Sequence, residues 1–238
     1  MPEHIQLGEI SAEVFRKKIK NIHLSVNPPD GHVRISCPSR YTSEKIRAYA
    51  LTKLVWIKQQ QRKLREQPRE SAHQYTDKES HYLWGKRHLL KVVETDGTPR
   101  VELKALKMVL HVRAGSTVQR RAEIVEEWYR ERLKKAIPRL IAKWEPALGV
   151  EVKGFFVQRM KTKWGSCSSS KHTIRLNSEL ARKPRKCLEY LVVHEMLHIL
   201  EPSHNARFRT MLDKHLPNWQ NRKKTLNSLP VRHEKWGY

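Results

Sequence analysis

Hydrophobic and polar residues alternate along two short stretches near the start of the chain. Residues 22–26 read Ile-His-Leu-Ser-Val, and residues 33–37 read Val-Arg-Ile-Ser-Cys. Between them, residues 27–31 read Asn-Pro-Pro-Asp-Gly, which is a strong turn signal. Because a period of two is typical of strands, residues 21–37 are predicted to form a β-hairpin.

A helical spacing of hydrophobic residues replaces the alternation after this hairpin. Ser43 is a good N-cap residue, and Glu44 lies in the first turn, where the helix dipole favours negative charge. The pattern predicts one long helix that begins at about Ser43, continues into the basic stretch 59–65 and ends before Pro68. Residues 66–80 are polar and aperiodic, which predicts a loop.

Alternation returns in two further segments. Residues 82–93, with Gly85 at a turn, and residues 101–112, which follow Asp96-Gly97, are each predicted to form a hairpin. No internal repeat is visible in the sequence.

A second long helix is predicted from residue 117 to about residue 147, where hydrophobic residues again recur with helical spacing. Pro138 and Pro146 lie within it and are predicted to break or kink it.

Together these elements predict an α+β fold. We place a soft domain boundary near residues 114–118. Residues 1–115 would then form a basic, β-rich region with one long helix, and residues 116–238 would form the domain that carries the chemistry.

The charge of the chain is strongly unbalanced. Its 238 residues carry a formal net charge of +24, with a pI near 10.2, while 38% of the residues are hydrophobic. An excess of this size favours contact with a polyanion such as nucleic acid, because a compact body carrying it repels itself. The alternative is a solvated cationic surface that keeps the protein soluble. The basic residues are spread along the whole chain, so no single tail explains them.

The cysteine content and the hydropathy of the chain indicate the cellular compartment in which the protein is expected. The chain has three cysteines, Cys37, Cys167 and Cys187, without a repeated spacing. This number argues against a disulfide framework and for a reducing compartment. The first residues lack a signal-peptide pattern, and there is no run of 18 apolar residues. We therefore expect a cytoplasmic protein without a membrane span.

The pattern His-Glu-x-x-His is the strongest chemical signal, and it is formed by His194, Glu195 and His198. On a helix, the two histidines lie one turn apart on one face, with about 6 Å between their Cβ atoms. That separation lets both imidazoles reach one zinc ion at about 2 Å. Glu195 can take the proton of the attacking water. The alternative, a core helix with two solvent-facing histidines, is disfavoured by the hydrophobic pattern around the motif.

A catalytic zinc site needs a third protein ligand. Pro202 ends the helix, and His204 is the first histidine after the turn that must follow. Metzincins share this histidine spacing but have Gly three residues after the second histidine, where this chain has Glu201. The site is therefore not of the metzincin type. The catalytic Glu195 and the absence of any Cys-x-x-Cys sequence argue against a closed structural zinc site.

Further motifs accompany the histidines. They are Lys-Trp-Gly-Ser-Cys-Ser at 163–168, Ile-Arg-Leu-Asn at 174–177, the segment 190–198, Ser-His-Asn-Ala-Arg-Phe at 203–208 and Leu-Pro-Asn-Trp at 216–219. With these residues the chain resembles the YgjP-like metallopeptidases, which are relatives of the SprT-like zinc proteases. The resemblance implies a minimal zincin-like domain with Zn²⁺ as its cofactor. It also implies that Ile174–Asn177 is a strand over the active-site helix, with an edge that could pair with an extended peptide.

Several other residues are candidates for contact with the substrate or the transition state. These are Lys163, Arg175, Asn177 and Arg207. Arg207 has the alternative of pairing with an acid on its own helix. Cys167 is interpreted as a small buried residue, with a nucleophile or fourth ligand as the alternative, and Trp164 as a core residue. Asp213 is a candidate hydrogen-bond partner for a ligand histidine.

Three functions remain open. The first is a zinc metallopeptidase acting on a polypeptide, and the second is a zinc-dependent nucleoside triphosphate pyrophosphohydrolase that uses the abundant cations to hold phosphates. Against the second, the sequence has neither a Gly-rich phosphate loop nor an acidic cluster for a second metal. The third is a nucleic-acid-associated protein that binds through its basic N-terminal half, an analogy with SprT-like relatives. The oligomeric state stays open.

Overall fold

The computed structural model describes residues 3–27, 31–66, 71–160 and 163–230. Among these residues the chain forms two compact units, of which the first ends at Glu66 and the second begins at Ser71. Both units combine sheets with helices, so the α+β class is confirmed.

The first unit is a four-stranded sheet with two helices. In their order across the sheet, the strands are β1 (Glu3–Leu7), β2 (Ile10–Lys17), β4 (His32–Pro38) and β3 (His23–Asn27). The helices are α1 (Ser43–Thr52) and α2 (Leu54–Glu66). A separate small core lies between them, with Val14, Ile35, Ile46 and Ile57 fully or nearly fully buried.

Predictions for the first unit were right about the hairpin and partly wrong about the helix. Strands β3 and β4 pair antiparallel with Val26 opposite Val33, while residues 28–30 of the predicted turn lie outside the described residues. The long helix is divided at Lys53, whose N–H turns back to the carbonyl of Ala50 at 3.0 Å. Its N-cap is Thr42 rather than Ser43.

The second unit begins with another four-stranded sheet. Across the sheet the strands are β5 (Ser80–Leu83), β6 (Lys86–Glu94), β8 (Lys107–Val112) and β7 (Arg100–Lys104). Both predicted hairpins are confirmed. At the turn of the first hairpin, Gly85 has a φ of +79°, and a Cβ there would lie 2.8 Å from Cγ of Pro184. The position therefore requires glycine for its backbone conformation and for space.

The two four-stranded sheets have the same strand order. In each sheet two antiparallel hairpins are joined by a parallel pairing of their second strands, β2 with β4 and β6 with β8. This repetition is present in the topology although no repeat is visible in the sequence.

Helix α3 (Val118–Leu148) follows the second sheet and is 31 residues long. The Oγ1 atom of its N-cap residue, Thr117, accepts a hydrogen bond from the Arg120 N–H. The prediction of a break at Pro138 or Pro146 is wrong, because the helix continues through both. Hydrophobic residues buried on both sides of Pro138 hold the helix in place, namely Tyr129, Leu133, Ile137 and Ile141.

The predicted domain boundary near residue 115 also needs correction. Leu90, Met108 and Leu110 of the β5–β8 sheet are buried in the same core as Tyr129 and Leu133 of α3. Since sheet and helix share one core, they belong to one unit, and the division of the chain lies between Glu66 and Ser71.

The rest of the second unit is a small sheet followed by three helices. Across the sheet the strands are β10 (Gly165–Ser168), β11 (Thr173–Asn177) and β9 (Gly154–Gln158). A short 3-10 turn (Ser178–Arg182) leads to α4 (Arg185–Leu197), α5 (Ala206–His215) and α6 (Trp219–Ser228). None of the helices in the described part of the chain is both long and apolar enough to cross a membrane.

The strand predicted at Ile174–Asn177 is present as β11 and packs against α4, but the predicted free edge is absent. It pairs antiparallel with β10 on one side and parallel with β9 on the other, so both of its edges are occupied. Within the described residues, the outer edge on the β10 side is formed by β10 itself.

A buried ion cluster ties the 3-10 turn to α3. The side chain of Arg182 is 1% exposed and donates to Oε1 of Glu179 at 2.7 Å and to Oε1 of Glu126 at 2.5 Å. Its guanidinium also lies over the ring of Tyr129, 4.1 Å from the centroid. Removal of the arginine would leave two carboxylates without their shared cation in a desolvated setting.

We therefore expect Arg182→Ala to lower the free energy of unfolding by about 3–5 kcal/mol. Urea denaturation of the full chain measures this loss. The control is Arg120→Ala, because Arg120 pairs with Glu123 on the exposed surface of α3. That pair should contribute less than about 1 kcal/mol. Equal losses in the two variants would contradict the assigned role of Arg182.

Candidate metal centre

Helix α4 carries His194 in its last turn, and the second predicted ligand, His198, is its C-cap residue. Its N-cap is Pro184, and the helical hydrogen bonding ends at Leu197, after which the chain turns. The turn is closed by the N–H of Glu201, which donates to the Leu197 carbonyl at 2.9 Å. The helix thus ends earlier than Pro202, and the following loop brings His204 back toward the helix.

The three predicted histidines converge on one point. Nε2 of His204 lies 3.0 Å from Nε2 of His194 and 3.1 Å from Nε2 of His198. The imidazoles of His194 and His198 are one helical turn apart, with ring centroids 4.9 Å apart. Three imidazole nitrogens from a helix and a loop therefore face a common centre.

Neighbouring groups fix the orientation of these rings. Nδ1 of His198 lies 2.9 Å from the carbonyl oxygen of Glu201, which directs Nε2 toward the other histidines. Phe208, at the start of α5, is buried and contacts all three imidazoles, with ring centroids 4.6–5.0 Å apart. Its own position is set by Asn205, whose side chain caps α5 by accepting from the Phe208 N–H.

A carboxylate shapes the loop between the second and third histidines. Oε1 of Glu201 accepts hydrogen bonds from the Ser203 N–H at 3.1 Å and from the Ser203 hydroxyl at 2.8 Å. These hydrogen bonds lower the pKa of Glu201. The carboxylate also lies 3.8 Å from the guanidinium of Arg207.

The electrostatic setting favours the neutral forms of His194 and His204. Burial, and then the neighbouring His198 and His204, lower the pKa of His194 to about 3. Burial and the neighbouring His198 also lower the pKa of His204. Neutral imidazole with a free lone pair is the form that binds a metal ion.

Glu195 is buried beside this centre. Only 4% of the residue is exposed, and burial raises the pKa of its carboxyl group to about 8, against the opposing effect of the Lys163 ammonium. The side chain packs against the backbone of Gly165 in β10, where a Cβ atom would lie 2.5 Å from Oε1 and 2.9 Å from Cδ of Glu195. Gly165 therefore leaves the space that Glu195 fills.

The three histidines fit a divalent transition-metal ion. Tetrahedral coordination with metal–nitrogen distances of 2.0–2.1 Å places ligand nitrogens roughly 3.3 Å apart. The observed separations of 3.0 and 3.1 Å are close to this value. An ion there would also favour the charged form of the nearby Glu195 carboxylate.

An open cleft of about 430 Å³ leads to these residues. The aromatic rings of Tyr190 and Trp219 are stacked along it, with centroids 6.3 Å apart. Burial, followed by the charge of Glu195, raises the pKa of Tyr190 to about 12, so its hydroxyl stays protonated. The cleft is also lined by Lys163, Trp164, Gly165, His194, Glu195, His204, Phe208, Arg209, Leu212 and Lys223.

The four predicted contact residues fall in different places. Lys163 lines the cleft, whereas Arg207 is largely exposed and faces Glu201. Arg175 lies over the ring of Phe156 and is not part of the cleft lining. Asn177 is buried, and its Nδ2 donates to the carbonyls of Met160 and Lys163 at 2.7 and 2.9 Å. Asn177 therefore holds the carbonyls of Met160 and Lys163 and is not among the residues that line the cleft.

The remaining predictions concern three side chains. Cys167 is half-buried, and burial followed by the charge of Glu195 raises the pKa of its thiol to about 11, which disfavours a nucleophilic thiolate. Trp164 packs against the core and also lines the cleft. Asp213 accepts a 2.7 Å hydrogen bond from Nε1 of Trp219. It is therefore a partner of the cleft wall and not of a ligand histidine.

Gly165, Phe208 and Tyr190 belong to the site, but the sequence alone predicts no role for them. Each lies in a motif on which the family resemblance rests, but its task depends on tertiary contacts. Gly165 gives room to Glu195, and Phe208 supports three imidazoles.

Comparisons with known proteins give partial structural likenesses and one family match. The metallopeptidase zymogen jannalysin of Methanocaldococcus jannaschii matches with a TM-score of 0.34 and 22% identity, over 38% of this chain and 92% of that one. The metallopeptidase zymogen abylysin of Pyrococcus abyssi matches with a TM-score of 0.35 and 17% identity, over 40% of this chain and 98% of that one. No curated protein sequence matches the chain.

The family match covers most of the chain. The model of the YgjP-like metallopeptidase domain matches residues 20–229, which include the three histidines, Glu195 and Gly165. The chain therefore belongs to the YgjP-like metallopeptidase family.

Proposed function

We propose that the protein is a zinc-dependent peptidase in which His194, His198 and His204 bind the metal and Glu195 is the general base. The convergence of three imidazole Nε2 atoms, with separations of 3.0 and 3.1 Å, carries this proposal. Zinc is the default ion for three imidazole ligands beside an open cleft. The same proposal assigns the second unit as a zincin-like domain with α4 as its active-site helix.

A zinc ion held by the three histidines would supply Lewis acidity toward the scissile carbonyl and the attacking water. Glu195 takes a proton from the attacking water and later gives it to the leaving amine. The buried position of Glu195 beside the three histidines suits this shuttle, because the carboxylate is held next to the place where the attacking water would lose its proton to a base. Gly165 keeps the carboxylate beside the histidines.

Substrate binding is assigned to the cleft and to β10. This strand contains Gly165 and has one edge that pairs with no other described strand. An extended peptide added to this edge would gain main-chain hydrogen bonds and would pass close to Glu195. Lys163 and the stacked pair Tyr190 and Trp219 line the adjoining cleft.

A second candidate activity is hydrolysis of a nucleoside triphosphate at the same centre. Three cationic side chains line the cleft, namely Lys163, Arg209 and Lys223. They offer hydrogen bonds and positive charge to a phosphate chain. The peptidase is preferred because the family is one of metallopeptidases and because the β10 edge suits a polypeptide.

A third proposal, contact with single-stranded nucleic acid, is supported by a cationic groove of about 630 Å³ in the second unit. Its cations are Arg132, Lys135 and Arg139 of α3 and Arg185 and Lys186 of α4. None of these five forms an ion pair with any residue that the structure describes. Leu83, Trp84 and Leu103 add apolar lining, and the guanidinium of Arg185 lies over the Trp84 ring, 4.5 Å from its centroid. The groove lies outside the N-terminal region to which the sequence assigned this contact.

Replacement of Glu195 by glutamine should strongly reduce turnover without loss of the metal, because the amide cannot accept the proton. We expect kcat to fall by about 10²–10⁴-fold. The zinc-loaded wild type and variant are each incubated with a pool of unfolded polypeptides and nucleoside triphosphates, and the products are identified by mass spectrometry. Glu131→Gln, on the exposed face of α3, is the control and should retain full activity.

The products separate the two activities. New peptide termini formed by the wild type and not by Glu195→Gln support the peptidase. Cleavage of nucleotides alone, again dependent on Glu195, would show that the peptidase assignment is wrong.

Replacement of Gly165 by alanine should displace the Glu195 side chain, because the added Cβ would lie 2.5 Å from its Oε1. We expect kcat to fall by about 10–10²-fold, with zinc content and melting temperature close to those of the wild type. Gly154→Ala in β9 is the matched control, since a Cβ there would lie 3.7 Å from Thr173. If both variants retain wild-type kcat, Gly165 does not position Glu195.

The groove proposal predicts weaker binding after loss of two of its cations. The double variant Lys135→Gln/Arg139→Gln should lower the affinity for a fluorescent single-stranded oligonucleotide. The slope of log affinity against log salt concentration should also become less steep, by the amount expected for the loss of about two phosphate contacts. The control is Arg130→Gln/Lys134→Gln, which removes the same charge from residues of α3 that are paired with glutamates. Equal weakening by both variants would indicate a general charge effect and contradict a specific groove.

A further inference from the structure

A second group of metal-type side chains lies at the beginning of the second unit. It consists of His73, Glu79 and His81, and it shares no residue with the cleft described above. Nδ1 of His73 lies 2.5 Å from Oε1 of Glu79, and Nε2 of His81 lies 2.9 Å from the same oxygen. The side chains are 11%, 18% and 0% exposed, respectively. Two imidazole nitrogens thus meet one carboxylate oxygen in a nearly dry setting.

The imidazole of His81 is close to Glu79 but is not oriented for a well-aligned hydrogen bond with it. Its Nε2 is within 2.9 Å of Glu79 Oε1, yet neither ring nitrogen of His81 has a well-aligned hydrogen-bond partner among the described residues. A buried polar atom without such a partner calls for an explanation. Nδ1 of His73 does form a hydrogen bond to Glu79 Oε1, so it is the two ring nitrogens of His81 that point to a further ligand such as a metal ion.

The carboxylate of Glu79 is held from its other side. Its Oε2 accepts 2.8 Å hydrogen bonds from the N–H groups of Gln74 and Tyr75. The loop reaches this position through left-handed backbone at Tyr75 and Lys78, with φ values of +55° and +66°. Oε1 is therefore directed toward the two imidazoles by backbone donors, as outer hydrogen bonds orient the ligands of metal sites.

The protonation states also suit a cation. Burial, and then the neighbouring His73, lower the pKa of His81 to about 4, so its ring is neutral. Burial opposes ionisation of Glu79, but the hydrogen bond from the Gln74 N–H and the neighbouring His73 outweigh it and lower the pKa of its carboxyl group. The rings of His73 and His81 are stacked with centroids 4.5 Å apart, an arrangement that two imidazolium ions would resist. Neutral His81 and ionised Glu79 are thus in the forms that bind a metal ion.

A further imidazole lies beside this group. His88 of β6 is directly opposite His81 of β5 in the antiparallel pair, so both side chains are on the same face of the sheet. His88 is buried, and its Nδ1 has no hydrogen-bond partner in the part of the chain that the structure describes.

We propose that His73, Glu79 and His81 form a second binding site for a divalent transition-metal ion, with a structural role. Two imidazoles and one carboxylate suit Zn²⁺ and its neighbours in the first transition row. An ion held there would fasten the loop that contains His73 to strand β5, at the start of the second unit. The proposal does not depend on the peptidase activity.

The stoichiometry of zinc tests this site directly. The full chain is stripped with a chelator, reloaded with Zn²⁺ and freed of excess ion, and zinc per chain is measured by inductively coupled plasma mass spectrometry. We expect two ions in the wild type, one in His73→Asn and one in His204→Asn. His111→Asn is the matched control and should keep two, because His111 is another partly buried histidine next to a glutamate, Glu102.

The outcomes distinguish the two sites. One ion in the wild type and none in His204→Asn would overturn the second site, as would two ions retained in His73→Asn. One ion that is kept in His204→Asn and lost in His73→Asn would support the second site and contradict the first. His73 lies on a loop, and circular dichroism of His73→Asn confirms that a loss of zinc does not arise from unfolding.

Discussion

Nine of the thirteen residues of α4 are buried, so this helix needs neighbours on nearly all of its faces. It packs against α3, against β10 and β11 of the small sheet, and against α5 and α6. The part that faces the cleft is near its C-terminal end, where His194 and Glu195 lie. Burial of α4 therefore decides where the candidate active site lies, and the surrounding elements hold the ligands at fixed separations.

The fold and the site were predictable to different degrees. The spacing of His194 and His198 gave the first two ligands, because a helix places residues four apart on one face. His204 followed as the first histidine after the turn predicted at Pro202, although the helix already ends at Leu197. The hairpins followed from alternation and turn residues, but α3 continues through Pro138 because burial on both sides of the proline outweighs its cost.

What the sequence left undetermined depends on contacts between distant segments. Nothing local distinguishes Gly165 from a glycine needed for its backbone conformation, since its task is to leave space for Glu195. The central position of β11 in its sheet is set by its pairing with β9 and β10, so it cannot be predicted from the residues of β11 alone. The group of His73, Glu79 and His81 has no motif spacing, because an irregular loop and a strand bring it together.

The shared topology of the two four-stranded sheets has a consequence for the order of folding. Three of the four hairpins have turns of only two residues between their strands, so their pairing closes very short loops. Hairpins of this kind form in about 1–10 μs. The parallel pairing of β6 with β8, which joins Leu89 to Lys107, must close a longer stretch of chain and therefore comes later. Each sheet is thus expected to assemble from preformed hairpins, and the helix that follows it can dock only once their second strands have met.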